Sequence, residues 1–502
     1  MLKDFLNVSL LVTLGKVLGF VKQSVIAYYF GVSSLVDIFF RADSFTSFIG
    51  RVLNQGIVQS ITSCKISEEK RKEFFANIGI IFIFAGIIIT VLMVCCSSKI
   101  AHILCKNENF TDITCVSNIL ITLSFVIVFS CIIGVNQGVL ERNKNFIPGQ
   151  LFSFIFSLSI ITSVFLLKDK LNIYALSIGF IGGYVIYSLF LMYSGANHIK
   201  WSKVNLKFNA DYSIFFKKSC GIIGIASVAE VCYLCDMLIA ASVPNSNVST
   251  LYYSQVISVN VINGIVVTAL STVMFPTFFS TVLKGNTETI SSLLKKILII
   301  DIYIIALITV IYLSCGYEIV KIFFERGSFT NENTKSVALL TYLYSIGFMF
   351  SSVRIITLRM HLAFQDVKTA LLNSLYGAVL NIMLSYILAK IYGIAGIVVA
   401  TGITMFCMMI RSLISLNRHI KFIDTNYRFF LEIAKIYLCC IMSSIVTIML
   451  SNNLYFNGGF MDALLKCVSG LLFFILFSMT VNRNNTIKLL TDIKSIIEGA
   501  KL

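Results

Sequence analysis

Charge is what this sequence has least of. Only 13% of its 502 residues are Asp, Glu, Lys or Arg, against 57% hydrophobic, and the mean hydropathy is +0.88. Soluble domains carry about 25% charged residues, so a soluble fold is excluded and a polytopic membrane protein is indicated. Proline is scarce as well, confined to Pro148, Pro244 and Pro276, and Trp201 is the one tryptophan. No G-x-x-x-x-G-K-[ST] loop occurs, so nothing points to ATP hydrolysis. The four histidines, His102, His198, His361 and His419, are scattered in or near loops and support no Ser/His/Asp or Cys/His constellation. The first apolar segment carries Lys16 and Lys22 and lacks a small-residue cleavage site. It is expected to remain as a helix rather than be removed as a leader.

Acids are the scarcer sign, 24 against 40 bases, for a net charge of +16. The bases do not form one patch, which argues against nucleic acid as a partner; they sit in alternate loops. Most of the fourteen cysteines lie inside apolar segments, where Cys behaves as a small hydrophobe. Cys232 and Cys235 form a C-x-x-C in a membrane helix with no second pair or His partner, which disfavours a zinc or redox role.

The charges that do occur inside apolar runs are concentrated between Leu10 and Thr62. Two long segments, Phe5 to Phe30 and Asp37 to Thr62, are joined by a polar turn at Gly31–Ser34. The first holds Lys16 and Lys22, the second Asp37, Arg41, Asp43 and Arg51. A charge at the centre of a membrane helix costs about 2.5–3.5 kcal/mol, and six would cost on the order of 15 kcal/mol. They are therefore expected to pair or to face water. At about 100° per residue, Asp37, Arg41, Ser44, Arg51 and Gln55 fall within a band roughly 80° wide, with Asp43 off it. Four bases against two acids predict a positively charged lining suited to an anion.

With about 20 apolar residues per crossing, the chain reads as an all-α protein of fourteen transmembrane helices. After the first two come 74–96, 117–139, 149–167 and 173–194, a polar linker over 197–218, then 219–243, 251–276, 297–316, 336–358, 369–390 and 395–416. Two more, 430–450 and 461–481, precede a polar tail. The parse is an N-terminal lobe (1–196), a linker (197–218), a C-terminal lobe (219–418) and a final pair with its tail (419–502). Loops after even-numbered helices hold about 25 bases against about 8 on the other side, which places both termini in the cytoplasm. In the seventh helix Glu230 and Asp236 have no base on the same helix; in the eighth, Ser254, Gln255, Ser258, Asn260 and Asn263 are polar. Helices one, two, seven and eight are the expected central lining. Asp301 is expected to form an interfacial ion pair with Lys295 and Lys296, and Glu318, Glu325 and Glu332 to lie in a loop spanning Tyr317–Thr334.

A series of local patterns resembles one family. Lys16-Val-Leu-Gly-Phe-Val-Lys22-Gln, Phe30-Gly31, Asp37-Ile-Phe-Phe, Leu251-Tyr-Tyr-Ser-Gln255 and Ser271-Thr-Val-Met-Phe-Pro276 are similar to the MurJ/MviN lipid II flippases, within the multidrug, oligosaccharidyl-lipid and polysaccharide exporters. So are Phe324-Glu-Arg-Gly-Ser-Phe-Thr330, Ala363-Phe-Gln-Asp-Val-Lys-Thr369 and Tyr392-Gly-Ile-Ala-Gly396. The resemblance implies two six-helix lobes in a V around a central cavity, plus two C-terminal helices shaping a groove for a lipid tail. It implies translocation of the undecaprenyl-diphosphate-linked peptidoglycan precursor from the inner to the outer leaflet of the bacterial cell membrane by alternating access. The substrate-binding residues expected are Lys16, Lys22, Asp37, Arg41, Arg51 and Gln55, since a diphosphate calls for fixed cations.

The chain departs from the family where lysines replace arginines at Lys16 and Lys22, and where Thr46-Ser-Phe-Ile-Gly-Arg51 and Gln55-Gly56 lack one arginine, a proline and a glutamate. An arginine near Val256–Ile257 is also missing. These departures keep open a related polyprenyl-diphosphate-linked oligosaccharide as substrate. Sodium is the one candidate cofactor: the resemblance puts its ligands at Asp236, Asn381, Ser385 and Thr401 with the Ile397 carbonyl, although Ser385 stands where a carboxylate is expected. The expected partners are the lipid-linked precursor and membrane lipids, with the chain a monomer associating with cell-wall synthesis proteins. A cation-coupled multidrug exporter is the alternative from the same superfold; it calls for acids where this first lobe has bases. A non-transporting scaffold would have no need of Arg51 at mid-membrane, and a membrane transferase would expose catalytic carboxylates in an outer loop.

Overall fold

The computed structural model describes residues 2–64, 68–105, 110–143, 145–199, 210–243, 248–259, 282, 287–364, 366–420, 428–453 and 460–481. Among them the regular structure is helical. In order come α1 (Leu2–Phe30), α2 (Ser34–Ser63), α3 (Glu68–Leu104), α4 (Phe110–Arg142), α5 (Ile147–Gln150), α6 (Phe152–Leu171), α7 (Tyr174–Gly195), α8 (Ala210–Ser242) and α9 (Val248–Ile257). Then follow α10 (Thr287–Phe324), α11 (Asn331–Ala363), α12 (Val367–Tyr392), α13 (Ile394–Ile420), α14 (Arg428–Asn453) and α15 (Phe460–Val481). The short α5, entered through the buried Pro148, and α6 together make one crossing. The order is that of the fourteen expected segments.

The helices outrun the apolar runs that announce them, because hydropathy marks the hydrocarbon zone while backbone hydrogen bonding continues into the polar ends. Thus α8 begins at Ala210, inside the stretch expected to be linker, and α10 runs on to Phe324. Tyr317 and Glu318 are therefore helical, and the connection expected over Tyr317–Thr334 shortens to six residues, 325–330. Asp301 is another correction: it is fully buried, and Lys295 pairs instead with Glu432 at 4.0 Å. Asn260, Asn263, Ser271–Pro276, Pro244, Trp201 and the tail beyond Val481 lie outside the described residues. Ten helices among the described residues are long and apolar enough to cross a membrane. The charged α2 is not one of them.

The chain divides into two compact units, Met1–Ser249 with Arg326–Phe329, and Thr250–Glu325 with Thr330–Leu502. In the first, α2 packs against α4 and α8, and Ile57, Ile61, Phe75, Val135, Val139 and Phe215 close a core between α2, α3, α4 and α8. Phe74 stacks on Tyr212 at 4.7 Å, and the Tyr212 hydroxyl accepts from Asn77 Nδ2 at 2.7 Å. In the second unit α10 is central, with Leu294, Leu298, Ile305, Ala306 and Val310 fully buried against α11, α13, α14 and α15.

Four residues between α10 and α11 are held in the first unit by a turn-on-turn lock. Gly31 and Gly327 both adopt φ +58°. Ser328 N donates to Tyr28 O at 2.8 Å and Ser328 Oγ to Tyr29 O at 3.2 Å. A Cβ on Gly31 would lie 2.3 Å from Ser328 O, and one on Gly327 2.3 Å from Tyr28 O. Only glycine combines this left-handed conformation with so close a backbone approach.

Candidate functional site

The polar stripe of α2 divides into two environments. At its N-terminal half Asp37, Arg41 and Ser44 are buried. Asp37 Oδ1 accepts from Ser249 N at 2.8 Å, and Arg41 Nη1 lies 4.0 Å from Cys105 Sγ. One helical stretch further, the stripe opens. Arg51 and Gln55 line a cavity of about 230 Å³ together with Asn54, Gln137, Phe152 and Tyr184 from α2, α4, α6 and α7.

Arg51 is the charged group of that wall. Its Nε donates to Glu230 Oε2 of α8 at 2.8 Å, and its guanidinium lies 5.0 Å from the centre of the Tyr233 ring. Its side chain stays 37% exposed against 16% for Glu230, so the pair is wetted from the arginine side. A guanidinium offers five N–H donors in a planar fork. The Glu230 bond engages one of them, and the fork keeps the geometry that binds phosphate oxygens in pairs.

Lys22 is buried behind this wall. Its Nζ sits 5.1 Å from the Phe156 ring centre, and Phe156 stacks on the wall residue Phe152 at 5.2 Å. Its acidic neighbour is Asp43, which also faces Arg51 and accepts from Ser47 Oγ at 2.6 Å. Lys16, half-buried on α1, does not line the cavity.

Of the six expected residues the structure therefore brings Arg51 and Gln55 to a cavity, packs Asp37 and Arg41 into the closed part of the stripe, and puts Lys22 one layer back. Asp43 and Glu230 are the groups that the sequence reading left out of the site. Asp43 lies off the stripe, but it turns towards α1 and reaches Lys22's field. With Glu230 included, four bases face three acids, so the positive excess is one charge where the sequence alone implied two. The signal for Glu230 was present: an acid without a base in the apolar segment 219–243 and a base deep in α2.

The residues expected to hold sodium are distributed between the units. Asp236, buried on α8, belongs to the first. Asn381 and Ser385 on α12, and Ile397 and Thr401 on α13, belong to the second, where those two helices pack together. The Ile397 carbonyl accepts from Thr401 Oγ1 at 3.0 Å, and Asn381 and Ser385 are buried beside α13.

The second unit holds a larger cavity, about 670 Å³, between α10, α11, α14 and α15. Leu313, Ile346, Ile441, Ile445 and Ile448 make its wall apolar. At one end Lys466 bridges Glu318 and, at 3.2 Å, Asp462, with all three side chains at most 16% exposed.

Comparison with known proteins agrees with this architecture. The family model described as "Lipid II flippase MurJ" matches residues 26–468. The chain is 23% identical over 416 residues to a probable lipid II flippase MurJ of Borreliella burgdorferi, covering 81% of each chain. It is 23% identical over 477 residues to one of Buchnera aphidicola subsp. Baizongia pistaciae, covering 91% of each. Among solved structures it is similar to a lipid II flippase MurJ in an inward closed conformation, with a TM-score of 0.81 at 21% identity over 95% of this chain and 99% of the other. A MOP superfamily transporter from Pyrococcus furiosus shares the fold more distantly, with a TM-score of 0.60 at 13% identity over 83% and 95% of the two chains.

Proposed function

The chain belongs to the lipid II flippase MurJ family and its function is lipid II flipping; from that premise we propose how its own residues carry the lipid-linked precursor across the bacterial cell membrane. Translocation runs from the inner to the outer leaflet by alternating access, with both termini cytoplasmic as the loop charge bias directs. The head-group diphosphate is drawn to Arg51, and Gln55, Asn54 and Gln137 hydrogen-bond the sugar and peptide portions. Lys16, Lys22 and Arg41 supply the surrounding positive field, tempered by Asp37, Asp43 and Glu230.

One observation carries this reading: a guanidinium at the wall of a cavity lined by both polar and aromatic groups, partly exposed and tied to its carboxylate through Nε. As phosphate approaches, the Arg51–Glu230 contact loosens and the freed fork takes a charge-assisted pair of hydrogen bonds. The apolar cavity between α10, α11, α14 and α15 accommodates part of the isoprenoid tail, while the rest stays in the bilayer. No bond of the substrate is made or broken, so the protein acts as a transporter, monomeric and associated with cell-wall synthesis proteins. Sodium is the coupling ion of this reading: Asp236 in the first unit, and Asn381, Thr401 and the Ile397 carbonyl in the second, are the hard oxygens that such an ion prefers.

The test is rescue of cells depleted of their own lipid II flippase. The wild-type chain is expected to restore growth, and Arg51→Ala at equal expression is expected to fail. Rescue by Arg51→Ala as good as wild type would remove Arg51 from the mechanism.

A further inference from the structure

Three helix ends of the second unit meet around a side-chain cluster that neither cavity uses. His361 lies in the last turn of α11, Asp366 caps α12 by accepting from Thr369 N at 3.1 Å, and His419 lies in the last turn of α13. His419 Nε2 is 2.9 Å from Asp366 Oδ2, His361 Nδ1 is 3.8 Å from the same oxygen, and the three ligand atoms lie within 4.8 Å of one another.

The hydrogen bonds behind His361 fix which of its nitrogens carries the proton. Arg411 Nε donates to Asn373 Oδ1 at 3.0 Å, which orients the amide so that Asn373 Nδ2 donates to Ser415 Oγ at 2.9 Å. Ser415 Oγ spends its own hydrogen on Ser412 O at 2.9 Å. Towards His361 Nε2, 2.9 Å away, that oxygen is left only as an acceptor, so Nε2 bears the hydrogen. In the neutral ring Nδ1 is then a bare lone pair. It is aimed at the Asp366 carboxylate, has no hydrogen-bond partner, and belongs to a side chain that is completely buried. Two electron-rich atoms held face to face in this way call for a cation between them.

We propose that His361 Nδ1, the Asp366 carboxylate and His419 Nε2 form a binding site for a divalent transition ion of the zinc class, which ties the ends of α11, α12 and α13 together. Two imidazoles and one carboxylate suit such an ion and not magnesium or calcium, which favour all-oxygen shells. Tetrahedral coordination with bonds of about 2.0–2.2 Å sets ligand atoms about 3.4 Å apart. The 2.9 and 3.8 Å separations from Asp366 Oδ2 bracket that value, the two histidine nitrogens lie within 4.8 Å of each other, and rotation of the partly exposed Asp366 and His419 side chains would close the set. The Ser415–Asn373–Arg411 chain supplies the outer-shell support that metal-binding histidines use to hold tautomer and ring orientation. Phe364 lies flat against His419, 4.8 Å between centres and 9° between planes, and limits that ring's rotation. Asp366 and His419 are 23% and 31% exposed, so an ion enters from solvent and a water completes the shell. The site is at the end of the helices that the loop charges assign to the cytoplasm.

The experiment uses tag-free full-length protein in lipid nanodiscs, titrated with CoCl2, ZnCl2 and MgCl2. The expected result is one cobalt per chain with the visible d–d bands of a low-coordinate ion, displaced by stoichiometric zinc and untouched by excess magnesium. Asp366→Asn and His419→Ala should each weaken binding by more than about tenfold, and Ser415→Ala by roughly tenfold through the tautomer it holds. His198→Ala should change nothing. Zinc should raise the melting midpoint of the wild type and not of Asp366→Asn, an isosteric variant that retains the fold. No d–d bands, or bands that persist in both Asp366→Asn and His419→Ala, would overturn the assignment. Neither readout involves lipid II, so failure here leaves the flippase reading intact.

Discussion

Two ion clusters inside the helices of this protein look alike in sequence and behave differently in space. Arg51–Glu230 joins α2 to α8, and Lys466 with Glu318 and Asp462 joins α15 to α10. In the second, the cation is 16% exposed and meets two carboxylates; in the first it is 37% exposed and meets one. A cation saturated by buried acids is a fastener between helices. A cation left partly wet, with donors to spare, is able to exchange its partner for a ligand, and that difference separates a structural charge from a functional one.

The comparison can be broken by removing each cation in turn. Lys466→Ala strands two buried carboxylates and should destabilise the protein by about 3 kcal/mol, read as a lower melting midpoint in detergent. The neutral triple variant Lys466→Met, Glu318→Gln and Asp462→Asn should recover most of that loss. Arg51→Ala should shift stability by only about 1 kcal/mol, since the pair is partly exposed, while lipid II transport falls roughly 10–100-fold, the equivalent of about 1.5–3 kcal/mol for a hydrogen bond to a charged group. Equal melting losses in the two variants would erase the distinction.

Gly327→Ala and Gly31→Ala test a contact of a third kind, one of hydrogen bonds between two turns. Each forces a Cβ into a carbonyl at a positive φ, at a strain of about 1–3 kcal/mol, and should loosen 326–329, seen as faster proteolysis at that connection. The smallest effect is expected at Asp236. Replacing external sodium should slow transport a few-fold in the wild type and leave Asp236→Asn unaffected; equal slowing of both would remove Asp236 from the coupling.

Much of this was legible in one dimension. Hydropathy gave the order of the helices because the bilayer imposes a length on each crossing. The 100° periodicity of α2 identified Arg51 and Gln55 as neighbours on one face, and they share a cavity wall. The same periodicity could not tell that Asp37 and Arg41 would be packed away, because burial depends on what other helices place over them. Asp43 lies off the stripe, yet a buried charge answers to any helix within reach, here α1 through Lys22. His361 and His419 looked scattered because 58 positions separate them; two helix ends bring them to one carboxylate. Asp301 shows the opposite error, since the lysines next to it in sequence lie on other faces of α10.

The central claim is that Arg51 is a ligand-binding cation and not a fastener, and equilibrium binding of lipid II to purified protein in nanodiscs tests it most directly. Arg51→Gln should weaken binding about 10–100-fold, whereas Glu230→Gln, which releases the guanidinium from its partner, should bind as tightly as the wild type or tighter. If Arg51→Gln binds like the wild type, or if both substitutions weaken binding to the same degree, the pair is structural and the account is wrong.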